Sequence, residues 1–354
     1  MPHILIVKID AIGDYILFRN FLSIIRESQK FKGYHITFLG NEIYKDLAVA
    51  FDKDVVDDFI WLNRKKFSEN RLYRWKFLWS LKTKKYDILV NPTFSRNFYF
   101  DDEIAKNTRA KVKIAQEGDK VNSLKASSGD KYYSILIQPK QENFEFYKNR
   151  AFISEVLQEN ISINIPTLPT FSTQKENVII FFPSASEAQK RWKPDNFVSL
   201  AKLILSKYKV QIKIVGSPQD ISLGEYISEK INNTQVENMA GKTSLSELTY
   251  LLSESKLLIS NDTGAIHIAS AVKTKTICLY KGDHFGRFQP YPNEINQYVH
   301  TIFSKRLKYE IDNNTFDEKN YHSVSSDSLE TILPEDVFDI INDLKLISDD
   351  NAIN

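Results

Sequence analysis

Cysteine is almost missing from this chain of 354 residues; Cys278 is the only one. An internal disulfide and a cysteine-built zinc site are therefore excluded, and a reducing compartment fits. Glycine is scarce where a dinucleotide would need it. After the first apolar run only Gly13 is present, not the three glycines of Gly-x-Gly-x-x-Gly. Long apolar runs are missing as well, and no stretch approaches the roughly 18 residues of a membrane span. The opening Met1-Pro2-His3-Ile4-Leu5-Ile6-Val7-Lys8 lacks the basic start, longer apolar run and small-residue site of a signal peptide. A cytoplasmic protein is expected. A net charge of only +2, with no recognised motif, argues against nucleic acid as a partner.

What is present begins with aromatics, 17 Tyr and 23 Phe, within an ordinary apolar fraction of 42%. The length allows about two domains. Charge is unevenly spread. Arg64, Lys65, Lys66, Arg71, Arg74, Lys76, Lys82, Lys84 and Lys85 are opposed in their stretch only by Glu69, while acids gather from Asp312 onward. Trp61, Tyr73, Trp75, Phe77 and Trp79 interleave with these cations. Two readings stay open: a solvated helix face over core rings, or a surface for an anionic acceptor or an anionic membrane.

Apolar runs alternate with amphipathic stretches along the chain. Strands are expected at 3–7, 34–40, 54–62, 86–92, 112–115 and 133–137, with a helix over Tyr15 to Ile25. Ile161 to Lys175 carries Pro166, Pro169 and several Ser and Thr, and reads as the region between domains. The pattern restarts with strands at 177–183, 210–215, 256–260 and 274–280. Helices are expected at Asp195 to Tyr208, at Ser244 to Ser253 with a Ser244/Glu247 capping box, and at Gly264 to Val272. Residues from about Ser304 to Ser328 read as polar and irregular, and Pro334-Glu335-Asp336 opens a last helix. The expected class is α/β with two doubly wound, Rossmann-like units. The boundaries are 1–165, a linker at 166–176, 177–330, and a terminal helix at 331–354.

Four polar clusters lie directly after expected strands, where open α/β sheets hold their ligands. Lys8-Ile9-Asp10-Ala11-Ile12-Gly13-Asp14 puts a glycine and a carboxylate at a strand-to-helix turn; Asp14 is either a helix cap or a reacting group. Pro183 to Trp192 supplies hydroxyls such as Ser184 and the cations Lys190 and Arg191, suited to a diphosphate or simply solvated. Ser260-Asn261-Asp262-Thr263-Gly264 enters a helix whose first amides form an anion site, with His267 one turn in. A lone histidine there is more often structural. Gly216 to Asp220 offers a carboxylate for ribose hydroxyls or for a cap.

Together ILIVKIDAIGDYIL, KRW and SNDTGAIHIASAV resemble glycosyltransferase family 9, the ADP-heptose:lipopolysaccharide heptosyltransferase-like family, over most of residues 1–280. The resemblance implies the GT-B architecture and an inverting transfer without a metal or other cofactor. The donor is a nucleotide sugar, ADP-heptose first, and the acceptor a lipopolysaccharide, capsule or related surface glycan. Asp14 is implied as the base and Lys190 as the lysine on the donor phosphates. Gly13, Ser184, Asp262, Thr263, Gly264 and His267 are implied around the donor, Asp220 at its ribose and Thr243 at its base. Where the family shows a Gly-x-Thr-x-Pro-like loop this chain has Lys281 to Phe288, so Gly282 and Arg287 are taken as donor contacts. Arg64, Arg71, Arg74 and Arg96 are assigned to the acceptor side, with peripheral contact at the cytoplasmic face of the inner membrane. In the family's architecture the last helix usually crosses back onto the first domain. No Asp-x-Asp follows an expected strand; Asp57-Asp58 and Asp101-Asp102 are adjacent pairs. A nucleotide-sugar epimerase and a non-catalytic nucleotide-sugar-binding protein are the competing readings.

Overall fold

The structure is a computed structural model. It describes all residues except 119–127, 170–174, 296, 322–324 and 348–354. The chain divides into two compact units, Met1–Pro166 and Thr167–Asn354. The boundary falls at the start of the expected linker, part of which lies outside the described residues.

In the first unit, β1 (His3–Lys8), β2 (His35–Asn41), β3 (Asp58–Leu62), β4 (Lys85–Asn91), β5 (Arg109–Gln116) and β6 (Ile135–Ile137) form one sheet in the order β3-β2-β1-β4-β5-β6. Its pairings are all parallel. The central β1 is a short apolar run because both its faces are covered: Ile4, Leu5, Ile6 and Val7 are fully buried. The helix expected over Tyr15–Ile25 is two, Ile12–Ile16 and Asn20–Glu27, with Leu17 ending the first.

The second unit repeats the plan with β7 (Glu176–Phe182), β8 (Gln211–Ile214), β9 (Val236–Asn238), β10 (Ser255–Asn261), β11 (Lys275–Tyr280) and β12 (Val299–Phe303). Its order is β12-β11-β10-β7-β8-β9, the same winding as the first sheet. Strands β9 and β12 were not expected. β9 is only three residues long, and β12 is recognisable through its register on β11, Thr276 to Val299 through Tyr280 to Phe303.

Two further differences lie at the end of the chain. The supposedly irregular tail contains a helix, Lys305–Asp312, whose Leu307 is buried. The Asp327 carboxylate accepts from the Leu307 amide at 3.2 Å and from the Ser304 hydroxyl, so an acid distant in sequence starts it. The last helix, Pro334–Asp343, places Val337 and Ile341 in the core of the second unit with Phe197, Ala201 and Ile204 of helix Pro194–Lys207. Its apolar face is thus used within the second unit. The Ser244/Glu247 capping box is formed as expected, with Ser244 N donating to Glu247 at 2.8 Å.

Sheets wound in this way have one switch point each, where successive crossovers leave in opposite directions. In the first it lies between β1 and β4, in the second between β7 and β10. The loops after β1, β7 and β10 carry three of the clusters singled out in the sequence, and the fourth, Gly216 to Asp220, follows β8.

Candidate functional site

In the first unit the loop after β1 is built around a buried ammonium. Lys8 is fully buried, its Nζ 2.8 Å from Asp10 and 3.8 Å from Glu145, which is itself fully buried on helix Glu145–Leu157. Burial alone would lower the Lys8 pKa; the carboxylates of Asp10, Glu145 and Asp14 outweigh it and hold Lys8 charged. Asp10 also accepts from the Thr93 hydroxyl after β4 at 3.0 Å. Asn41, at the end of β2, donates to the carbonyls of Ile9 (3.3 Å) and Asp10 (3.0 Å), and Tyr44 donates to the Lys8 carbonyl. These contacts fix the path of the loop into helix Ile12–Ile16.

Asp14 is the third residue of that helix and is half-buried; Ala11 holds the N-cap position and makes no side-chain cap. Asp14 is therefore not the helix cap. Gly13 before it is buried. Arg64 reaches this loop, donating to the Ile9 carbonyl at 3.4 Å while its guanidinium lies 4.6 Å from the Phe100 ring centre. Arg71 is exposed, and Arg74 is half-buried with its guanidinium over Phe67. Arg96 is different. Its side chain is 3% exposed, paired with Asp102 at 2.8 Å and with Asp130, and stacked on Tyr133. Held between two carboxylates, this guanidinium acts as a brace within the first unit, and its expected place on the acceptor side is not carried forward.

In the second unit one residue organises the switch point. Asn261 ends β10; its amide donates to the carbonyls of Pro183 (2.8 Å) and Ser184 (3.3 Å), and its oxygen accepts from Trp192 N at 3.0 Å. The loop after β7 thus wraps around Asn261. Trp192 is buried and donates to Ile332 O at 2.9 Å, and Arg191 closes the loop on Ala185 O at 2.8 and 3.0 Å. Arg191 is thereby a loop brace, and Lys190 is the cation left turned toward the switch point.

Lys190 Nζ lies 3.2 Å from Glu187 and 3.5 Å from Asp283, with 18% of its side chain exposed. Burial works to lower its pKa, but Glu187, Asp283 and Asp262 together raise it. Asp262 is pushed up to about 7, chiefly by burial, against the pull of Lys190 and with help from Asp283. Beside it, helix Gly264–Ala271 starts at Thr263 with no side-chain cap, and Thr263 Oγ1 lies 3.1 Å from Ser260 Oγ. Uncapped first-turn amides at the positive end of a helix dipole favour an anion.

Other expected donor residues are placed less simply. Asp220 is buried, with Oδ1 accepting from Ser184 at 2.6 Å and Oδ2 accepting from Ser217 N at 2.8 Å and Oγ at 2.5 Å. It ties the loops after β7 and β8 together and caps the turn Pro218–Asp220. His267 is buried, 2.8 Å from the Tyr291 hydroxyl, and burial pushes its pKa down to about 4. It is neutral at pH 7 and holds the following loop. Thr243 is half-buried in the turn that Gly241, at φ +73°, joins to the Gly216 carbonyl at 2.9 Å. Gly282 has φ +109°, and a Cβ there would meet the Tyr321 ring at 2.4 Å, so this position needs glycine. Arg287 stacks over Phe288 at 4.9 Å.

The sequence reading gave no role of their own to Lys8, Glu145, Asn261 and Asp283. Lys8 had a signal, a lysine closing an otherwise apolar strand. Asp283 is buried and takes Lys281 at 3.2 Å and Ser325 N at 2.6 Å, so the tail braces the loop after β11.

Comparison with known proteins agrees with this geometry. The model of glycosyltransferase family 9 (heptosyltransferase) matches residues 137–315. This chain belongs to glycosyltransferase family 9. The match covers the second switch point; the opening ILIVKIDAIGDYIL lies outside it. Among curated relatives, lipopolysaccharide heptosyltransferase 2 of Salmonella typhimurium is 30% identical over 115 residues, 31% of this chain and 33% of that protein. Lipopolysaccharide heptosyltransferase 3 of Escherichia coli K12 is 28% identical over 169 residues, 46% and 48% of the two chains. The alignments thus span about a third to a half of these relatives' length. Among solved structures, E. coli heptosyltransferase WaaC with ADP-2-deoxy-2-fluoro heptose has TM-score 0.72 at 15% identity, covering 97% of this chain and 99% of that one. A family 9 glycosyltransferase from Veillonella parvula has TM-score 0.73 at 17% identity, over 98% and 97%. These likenesses show the fold, the two-Rossmann GT-B type.

Proposed function

We propose that this protein is an inverting glycosyltransferase that moves a sugar, heptose in the first instance, from a nucleoside-diphosphate donor to a lipopolysaccharide or related surface glycan. Family membership supports the class. The observation that carries the reading is the second switch point, where uncapped amides at Thr263 and Gly264 stand beside a partly exposed Lys190 and the Ser184 loop. That set suits the diphosphate of ADP-heptose, whose charge grows as it leaves. Lys190 and the amides then supply the stabilisation that a divalent metal gives elsewhere, so neither metal nor other cofactor is required. Asp220 acts at the ribose by holding the Ser184 and Ser217 loops, and Thr243 lines the base. Gly282 and Arg287 border the sugar.

In the first unit Asp14 takes the proton of the attacking acceptor hydroxyl. Arg64, Arg71 and Arg74 receive the acidic groups of the acceptor. The enzyme works at the cytoplasmic face of the membrane that carries the acceptor. Incubation with ADP-heptose and acceptor in excess chelator tests this: ADP release that requires the acceptor is expected. Release without acceptor favours an epimerase-like enzyme, binding without release favours a non-catalytic protein, and activity restored only by added Mg²⁺ overturns the metal-free step.

A further inference from the structure

Helix Arg71–Thr83 has two apolar faces, and only one is used by the fold. Leu78 and Leu81 are buried and Tyr73, Arg74 and Phe77 are half-buried, forming its inner side. Leu72, Trp75 and Trp79 recur at three- and four-residue spacing on the opposite side, and they are 60%, 61% and 56% exposed. The two indoles stack on each other with ring centres 6.3 Å apart. Lys76 and Lys82 share this outer stripe by helical spacing, and both are exposed. Arg71 opens the helix, exposed Lys65 and Lys66 precede it, and exposed Lys84 and Lys85 follow it. Two tryptophans and a leucine held in water are unusual for a face with no partner. Ringed by cations, they match one environment well: indoles favour the headgroup layer of a bilayer, and each Lys or Arg near an anionic leaflet adds about 1 kcal/mol. Among the described residues no helix is long and apolar enough to cross a membrane, so contact would be from one side.

We propose that the outer face of helix Arg71–Thr83 is a membrane-docking surface, with Leu72, Trp75 and Trp79 entering the headgroup layer of an anionic bilayer and Lys76, Lys82, Lys84 and Lys85 pairing with lipid phosphates. The inference deepens the transferase reading by naming the surface that brings the enzyme to a lipid-borne acceptor. It does not depend on turnover. The surface is distinct from Asp14 and Lys190, so its loss leaves transfer to a delipidated acceptor unchanged.

Sedimentation with phosphatidylcholine vesicles, with and without phosphatidylglycerol, tests it. The full chain is expected to bind only the anionic vesicles, to be released by salt, and to show a blue shift of indole emission on binding. The double variant Trp75→Ala/Trp79→Ala and the double variant Lys76→Glu/Lys82→Glu should each bind roughly tenfold or more weakly, with unchanged melting temperature. Equal binding to neutral vesicles, or undiminished binding by both variants, overturns the proposal. So does a raised KM for delipidated acceptor in the tryptophan variant, which would make the face a glycan site. Loss of ADP-heptose turnover with vesicle binding intact would instead defeat the transferase reading alone.

Discussion

The two switch points contain the same charge motif, one lysine facing three carboxylates, and differ in how water reaches it. Lys8 is surrounded by Asp10, Glu145 and Asp14, and its side chain is 1% exposed. Lys190 is surrounded by Glu187, Asp283 and Asp262, and its side chain is 18% exposed. A sealed ammonium can only hold its neighbours; a partly open one can exchange a carboxylate for a phosphate. Accessibility, not residue type, separates the framework lysine from the one proposed to hold the donor.

That contrast is most easily broken by removing each lysine in turn. Lys8→Met leaves Asp10 and Glu145 in the interior with no cation. A loss of about 3–5 kcal/mol is expected by urea unfolding, the usual result of stranding one side of a buried pair. Lys190→Met should lose less, because Glu187 keeps contact with water and buried Asp283 keeps Lys281 and the Ser325 amide as partners. Similar losses for the two would erase the distinction.

Activity should sort the other way. Asp14→Ala is expected to lower kcat by about 10²–10⁴-fold with donor affinity and melting temperature near wild type. Lys190→Ala should lower kcat/KM by about 10²–10³-fold and weaken ADP binding. Undiminished turnover by Asp14→Ala would remove the base from the scheme. A smaller comparison sets Arg96 against Arg71. Arg96→Ala should reduce stability without a selective change in KM, and Arg71→Glu should raise only the acceptor KM.

How far the sequence announced these differences depends on the range of the interaction. The sheets were readable because strands such as His3–Lys8 and Glu176–Phe182 are uninterrupted apolar runs, a local pattern. The switch-point clusters could be located because each is a polar turn directly after such a run, although a cap or solvated loop stayed open beside a ligand site at every one. Glu145 meeting Lys8, Asp327 starting helix Lys305–Asp312, and Arg96 sinking between Asp102 and Asp130 are pairings set by the folded chain, and no spacing in the sequence encodes them. The basic stretch from Arg64 to Lys85 shows the boundary well. Its composition left a solvated face and a docking surface equally open, and the outward turn of Trp75 and Trp79 is the structural observation on which the docking proposal rests.

The finest comparison lies inside the second switch point, between its cation and the acid that follows β10. Asp262 adjoins the uncapped amides of Thr263 and Gly264 and is pushed up to about 7, first by burial. Since its pKa is raised on folding, the chain loses stability from this group as pH climbs from the ordinary carboxylate range through about 7. A bound diphosphate adds negative charge beside it and favours its protonated form. A nucleotide-sugar diester carries a fixed charge over this range, so the pH dependence of its binding reports on the protein. Affinity for ADP-heptose is therefore expected to fall as pH rises through about 7, by about fivefold, the effect of some 1 kcal/mol between partly exposed charges. Asp262→Asn should flatten this slope and bind at high pH as the wild type binds at low pH. Calorimetry on both proteins decides it: a flat wild-type profile, or the same slope in the variant, would move the diphosphate away from the β10 turn.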